Sequence, residues 1–206
     1  MKYLFALLLS LFVLVGSAEA ANESLFDAIF AKPSEAAAGQ ATLFGSIDDA
    51  LVNKAIKQLH EANKTAGGPI TLFIESPGGS VFAMLRLLDA MDASERQVNT
   101  VCVGMCASAA GVVFLHGVER VMSPRSLLLI HDGATGAMNT TEKVYSQIAM
   151  EQRIDAEVIA YVAQLCGLSP TEVRIRASVD WWLWADEAVK LHFATKVARV
   201  PQYPVQ

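Results

Sequence analysis

The chain has 206 residues, 53% of them hydrophobic, and a formal net charge of −5 at pH 7. That length and apolar content suit one globular domain with a substantial core. The mild acidity, with no run of Lys or Arg, gives no support for nucleic-acid binding, and no internal repeat organises the chain.

Met1 to Ala20 reads as a signal peptide. Lys2 supplies the positive start, and Tyr3 to Val15 is nearly unbroken apolar sequence. Gly16-Ser17 breaks the run, and Ala18-Glu19-Ala20 has the A-x-A form of a cleavage site. The run falls short of the roughly 20 apolar residues of a spanning helix. The expectation is cleavage after Ala20, a mature chain from Ala21, and a periplasmic or secreted location. A retained N-terminal anchor is the alternative. Three cysteines, Cys102, Cys106 and Cys166, follow at spacings that make no disulfide framework. They read as small buried hydrophobes.

Residues 21–40 read as a flexible N-terminal arm, with Leu25, Ile29 and Phe30 forming a turn or two before Pro33. Residues 41–206 form the domain. Ala41 to Gly45 is a short strand. Asp48 or Asp49 caps a helix to about Lys64, with Leu51, Ala55, Ile56 and Leu59 at helical spacing. His60 reads as a surface or boundary histidine. Ile70 to Ile74 is a β-branched, buried strand, followed by Glu75-Ser76-Pro77-Gly78-Gly79-Ser80 and a helix from Val81 to about Met91. The Pro-Gly-Gly turn puts backbone amides at a helix start, without the lysine or glycine spacing of a nucleotide loop.

Gln97 to Val103 is a strand that runs into Gly104-Met105-Cys106-Ala107-Ser108-Ala109-Ala110-Gly111. Ser108 then opens an apolar helix ending near Leu115. A serine there sits beside free backbone N–H groups, which suits a nucleophile when charge must develop on a neighbouring oxygen. The plain alternative is a helix N-cap. Gly117 to Met122 and Ser126 to Ile130 are strands, and His131-Asp132-Gly133 ends the second. A histidine at the end of a buried strand is well placed for a site at the sheet edge. His116, at the end of the Ser108 helix, is the rival histidine. Asn139 to Cys166 is one long helix, started at Thr140 or Thr141 and ended by Gly167, and it extends beyond a compact core. Pro170 to Ala177 is a helix, Val179 to Trp184 an aromatic run, Asp186 to Leu191 a short helix, and Ala194 to Val197 a closing strand.

Four of these segments together resemble the Clp protease proteolytic subunit family, serine peptidases of the ClpP-like, crotonase-related fold. They are Ile74-Glu75-Ser76-Pro77-Gly78-Gly79, Gly104 to Gly111 around Ser108, Leu129-Ile130-His131, and Val179-Asp180 followed by Trp184-Ala185-Asp186-Glu187-Ala188-Val189. The similarity runs roughly from Thr42 to Val197. It implies an α/β fold of repeated β-β-α units with a long protruding helix. It implies a serine endopeptidase with Ser108 as nucleophile, His131 as general base and Asp180 as the residue that orients the imidazole. The backbone N–H groups of Gly79 and Ala109 become the oxyanion hole. No cofactor and no metal are called for. Asp132 is the nearer acid in sequence, but adjacent strand residues point to opposite faces, which favours Asp180.

The chain departs from the family in three places. Asp132-Gly133 stands where the family has Gln-Pro, the arm does not match the family's axial docking loop, and Trp181, Trp182 and Trp184 replace smaller residues. The tryptophans read as core or subunit contacts. Three alternatives stay open. One is an exported Ser/Lys peptidase related to signal peptide peptidases, using Lys143. The others are a crotonase-type acyl-CoA enzyme and an inactive assembly subunit. The expected partners are peptide or unfolded protein substrates and further copies in a homo-oligomeric ring. Export and the unmatched arm argue against an ATP-driven unfoldase.

Overall fold

The computed structural model describes residues 39–65, 67–133 and 140–200, all within one compact unit. The signal segment, residues 21–38 of the arm and Asn139 lie outside the described residues. Strand β1 is Gln40–Phe44, β2 Ile70–Ser76 and β3 Val98–Ala107. They are joined through helices α1 (Asp49–Asn63) and α2 (Val81–Asp92). The three strands are parallel and adjacent in that order, as two successive strand-helix-strand crossovers require.

Helices α1 and α2 each begin where the sequence offers a cap. The Asp48 carboxylate accepts from Leu51 N at 2.8 Å, and Ser80 Oγ accepts from Ala83 N at 3.3 Å. Helix α1 buries Val52, Ala55, Leu59 and Ala62, one stripe at helical spacing. His60 is exposed, as expected. Leu87 of α2 is fully buried, and such a side chain contributes about 1.5–3 kcal/mol through burial. Helix α3 (Ala109–His116) is buried from Ala109 to Leu115. A helix that is apolar all round belongs in the middle of a core.

Strand β3 differs from the sequence reading. It does not end in a turn at Gly104 but continues to Ala107. Gly104 has φ +72, and a Cβ there would lie 2.7 Å from Glu75 Oε1. The kink lets one edge of β3 serve two strands. Its first half pairs with β4 (Arg120–Met122), from Thr100 to Cys102. Its second half pairs with β5 (Leu127–Ile130), from Met105 to Ala107. Both pairings are parallel. Strand β6 (Trp181–Trp184) runs antiparallel to β5, and β7 (Lys196–Val197) pairs with β4. Seven strands thus form one forked sheet among the described residues.

The larger core lies where α1, α2 and α3 meet the sheet, and a smaller cluster of Phe73, Val101, Val103 and Val121 forms apart from it. Helix α4 (Thr141–Cys166) has 26 residues, about 39 Å at 1.5 Å per residue. Its buried residues, Ile159, Val162, Ala163 and Cys166, all fall in its second half. In the first half Tyr145 is 70% and Met150 45% exposed. The helix therefore protrudes, and Gly167 ends it with φ +68. Helices α5 (Pro170–Ala177) and α6 (Ala185–Lys190) flank β6. The three cysteines are free and buried.

Candidate active site

Strand register brings the candidate residues together. Ala107 of β3 pairs with Leu129 of β5, and Ser108 N donates to Leu129 O at 2.9 Å. Ser108 is thus tied to the strand that carries His131 two residues later. On the other side of β5, Ile130 pairs with Trp181. The next antiparallel position sets His131 against Asp180. His131 Nδ1 lies 3.7 Å from Asp180 Oδ1. That is an ion-pair separation, longer than the 2.7–3.2 Å of a formed N–H···O bond. The His131 side chain is 25% exposed and that of Asp180 62%. The amides of Asp132 and Asp180 both donate to Ala177 O at 3.3 Å, fixing the two strand ends to α5.

Ser108 occupies the N-cap of α3, but its side chain makes no capping hydrogen bond. Its backbone has φ 57 and ψ −128. A non-glycine residue in such a conformation carries of order 1–3 kcal/mol of strain. A plain cap serine would have neither feature: it sits in extended backbone and uses its hydroxyl on the helix. At this elbow the hydroxyl is not engaged in capping the helix. Asp180, also at φ 57, is a second strained position in the same site.

The Pro-Gly-Gly turn meets the elbow directly. Gly78 has φ +95, and a Cβ there would lie 2.7 Å from both Ala107 O and Ser108 Cβ. A Cβ on Gly79 would overlap the carbonyl of Ile47. Ile47 N donates to Gly78 O at 2.8 Å, and Ser80 N donates to Ile47 O at 2.8 Å. The turn is clamped on both sides of Gly79. Among the described residues, neither Gly79 N–H nor Ala109 N–H has a backbone acceptor outside regular structure. Ala109 N–H, in the first turn of α3, has no acceptor within the helix either. These are two donors available to a ligand oxygen.

Gly79, Ser108, Ala109 and His131 line one cavity of about 610 Å³, closed on another side by Ile148, Glu151 and Val158 of α4. The site therefore sits at the carboxyl ends of β2, β3 and β5, where parallel sheets present their loops. Asp180 approaches from the start of β6, behind His131.

The rival residues fall elsewhere. His116 Nε2 is 2.9 Å from Asp92 Oδ1, and its Nδ1 is hydrogen-bonded to Tyr161 OH. It is absent from the cavity wall. Burial, with Asp92 nearby, pushes the Tyr161 phenol up, so that group keeps its proton. Lys143 is exposed and does not line the cavity. The cysteines offer no nucleophile. Burial holds Cys106 well above the usual thiol range, with Cys102 adding to it, and pushes Cys166 up to about 12. Trp181 is buried edge-on to Phe193 at 5.0 Å, whereas Trp182 and Trp184 are 47% and 55% exposed.

One expectation is corrected. Strand alternation predicts that Asp132 points away from His131. Strand β5 ends at Ile130, so the alternation does not extend to either residue, and both line the cavity. The sequence reading also passed over Glu151. Its signal was a carboxylate at helical spacing within the apolar stripe of Ile148, Ile154 and Val158.

A family model described as Clp protease matches residues 35–201. The ATP-dependent Clp protease proteolytic subunit of Bacteroides fragilis is 32% identical over 145 residues, covering 69% of this chain and 70% of that protein. Subunit 1 of Corynebacterium glutamicum is 34% identical over 131 residues, covering 62% and 63%. The Streptococcus pneumoniae subunit is 29% identical over 160 residues, covering 75% and 82%. With its forked, largely parallel α/β sheet and a match spanning the whole described domain, the chain belongs to the Clp protease family of serine-type endopeptidases.

Proposed function

We propose that this chain hydrolyses peptides or unfolded proteins through a Ser108–His131–Asp180 triad, outside the inner membrane and without ATP. The observation that carries the reading is the shared cavity of Ser108 and His131, with Asp180 Oδ1 3.7 Å from His131 Nδ1. With Nδ1 turned to Asp180, Nε2 is the nitrogen left for Ser108. Ser108 Oγ attacks the scissile carbonyl while His131 Nε2 takes the hydroxyl proton. The carbonyl oxygen becomes the oxyanion and accepts from Gly79 N–H and Ala109 N–H. His131 returns the proton to the leaving amine. Water, deprotonated by the same nitrogen, then attacks the acyl-enzyme and releases the acid. Asp180 holds the ring tautomer and stabilises its cation. The 3.7 Å gap closes in the working complex, as catalytic hydrogen bonds commonly tighten when substrate binds.

The test compares three variants using hydrolysis of a fluorogenic peptide and labelling by a serine-reactive phosphonate. Ser108→Ala is expected to abolish both while keeping the native circular dichroism spectrum. His131→Ala is expected to lower kcat by about 10⁴, the scale of other triads. Lys143→Ala is expected to leave the rate unchanged. Undiminished labelling of Ser108→Ala, or a large loss only in Lys143→Ala, would overturn the assignment.

A further inference from the structure

Glycine cannot by itself hold the Gly79 N–H in a fixed direction. Gly78 and Gly79 have φ +95 and +148, and two glycines in a row leave the peptide unit between them free to rotate. A half-turn of that unit would put a carbonyl oxygen where the N–H stands. Three bonds oppose it. Ile47 N donates to Gly78 O at 2.8 Å, and Ser80 N donates to Ile47 O at 2.8 Å. A planar trans peptide directs its C=O and N–H to opposite sides, so the bond to Gly78 O turns the Gly79 N–H away from Ile47. The third bond comes from a side chain. Gly78 N donates to Ser76 Oγ at 3.1 Å.

Ser76 is built as a fixed anchor. It is 1% exposed, so bulk water does not compete for its hydroxyl. It closes β2, and its ladder partner is Cys106 of β3, two residues before Ser108. An unbroken register from Ile74 and Cys102 would set Ser76 against Gly104. The shift at the Gly104 kink sets it against Cys106 instead. The anchor of the glycine turn is thereby level with the strand end that carries the nucleophile. Pro77 has no N–H, so Gly78 carries the first backbone donor after Ser76. Ser46 Oγ also approaches Gly78 O, at 3.5 Å, but that is longer than a formed O–H···O bond. Among the described residues, Ser76 is the side chain that bonds this glycine pair within normal length.

Resting on the peptidase reading above, we infer that Ser76 is a positioning residue of the oxyanion hole. Its hydroxyl holds Gly78 N–H, and through the Gly78–Gly79 peptide it sets the direction from which Gly79 N–H meets the developing oxyanion. Ser76 does not line the cavity and touches no substrate. Its effect is therefore selective. Oxyanion donors act on the transition state more than on bound substrate, so loosening one lowers kcat and leaves KM in place.

The experiment uses the full chain and two variants. Ser76→Ala removes the hydroxyl, and Ser76→Cys keeps the approximate size but offers only a weak acceptor. Rates on a fluorogenic peptide are divided by the amount of enzyme labelled at the end point by a serine-reactive phosphonate, so misfolded chains do not count. Both variants are expected to lose about tenfold to a hundredfold in kcat with KM unchanged, less than the loss of a whole oxyanion donor. A peptide aldehyde supplies a second readout. Ser108 Oγ adds to its carbonyl carbon, the hydroxyl proton passes to His131, and the carbonyl oxygen enters the oxyanion hole. Its inhibition constant is expected to rise by the factor by which kcat falls. A change confined to KM, or a lower Tm with kcat and the inhibition constant unchanged, overturns the inference and leaves the triad standing. So does failure of both variants to fold, which would make Ser76 a residue of the fold alone. A wild type that neither cleaves the peptide nor takes up phosphonate removes the peptidase reading, and this inference with it.

Discussion

At the scale of single residues, the site is held by backbone contacts too close for a side chain. Gly78 packs against Ala107 O and Ser108 Cβ, neither of which is the end of a flexible group. Gly78→Ala must therefore shift the elbow. A misplacement of about 1 Å costs on the order of 10²-fold in rate, so kcat is expected to fall by that scale in steady-state assays. Gly117→Ala is the contrasting case. Its Cβ would overlap Thr100 Oγ1, which donates to Phe114 O at 2.6 Å in the core, away from the cavity. Overpacking there is expected to cost about 1–3 kcal/mol. Calorimetry should show a lower Tm with kcat unchanged well below it. A Gly117→Ala enzyme as slow as Gly78→Ala would contradict the distinction. The Cys166 thiol gives a pH prediction. Burial raises it from 9.0 to about 12 in the folded chain. Below pH 9 the thiol is neutral in both states and has no effect. Above pH 9 the unfolded chain loses the proton first, so stability falls as pH rises towards 12. Cys166→Ala should flatten that alkaline limb in urea titrations. Ser108 and His131 could be picked out as candidates because each sits where a strand gives way to small or turn-forming residues. Strand alternation does not separate Asp132 from His131, because the ladder with Trp181 ends at Ile130.

At the scale of elements, the helices could be read closely from the sequence. Capping residues such as Asp48 and Ser80 and the stripe in α1 are local signals, and local signals set helix ends. The fork of the sheet could not be read. It depends on Gly104 bending β3 so that β4 and β5 share one edge, a pairing between segments distant in sequence. Glu151 was obscured for a similar reason. Only the fold brings α4, and Glu151 with it, to the cavity wall. The first half of α4 carries exposed Tyr145 and Met150, with half-buried Val144 and Ile148 beside them. A monomer gains nothing from ordering an apolar face in water, so a partner surface is expected there. In the expected homo-oligomeric ring, neighbouring copies would supply it. Tyr145→Asp with Met150→Asp is expected to dissociate the oligomer in light scattering. The circular dichroism of the core should persist, because the buried half of α4 is untouched. An unchanged mass would place the subunit contact on another element.

At the scale of the whole molecule, the proposal separates this chain from the relatives it resembles, which are named as subunits of ATP-dependent proteases. The separation begins with the N-terminal sequence. If Met1 to Ala20 acts as a signal, export removes the mature chain from the cytoplasmic ATP pool. Mass spectrometry of the native protein should then find Ala21 at the N-terminus, and a retained Met1 in a membrane fraction would favour an anchor. The chemistry permits independence from ATP: acylation of Ser108 and its hydrolysis need only the base, the oxyanion donors and water. What ATP supplies in a proteolytic assembly is unfolding, and a chain without a nucleotide loop cannot supply it alone. The purified protein is therefore expected to degrade an unfolded substrate such as casein and to leave a stable folded one intact. Adding the host's cytoplasmic unfoldase and ATP should not change that result. An ATP-dependent loss of the folded substrate would show that the arm does dock an unfoldase. It would also place the working enzyme on the cytoplasmic side, leaving the triad unaffected and the export proposal without support.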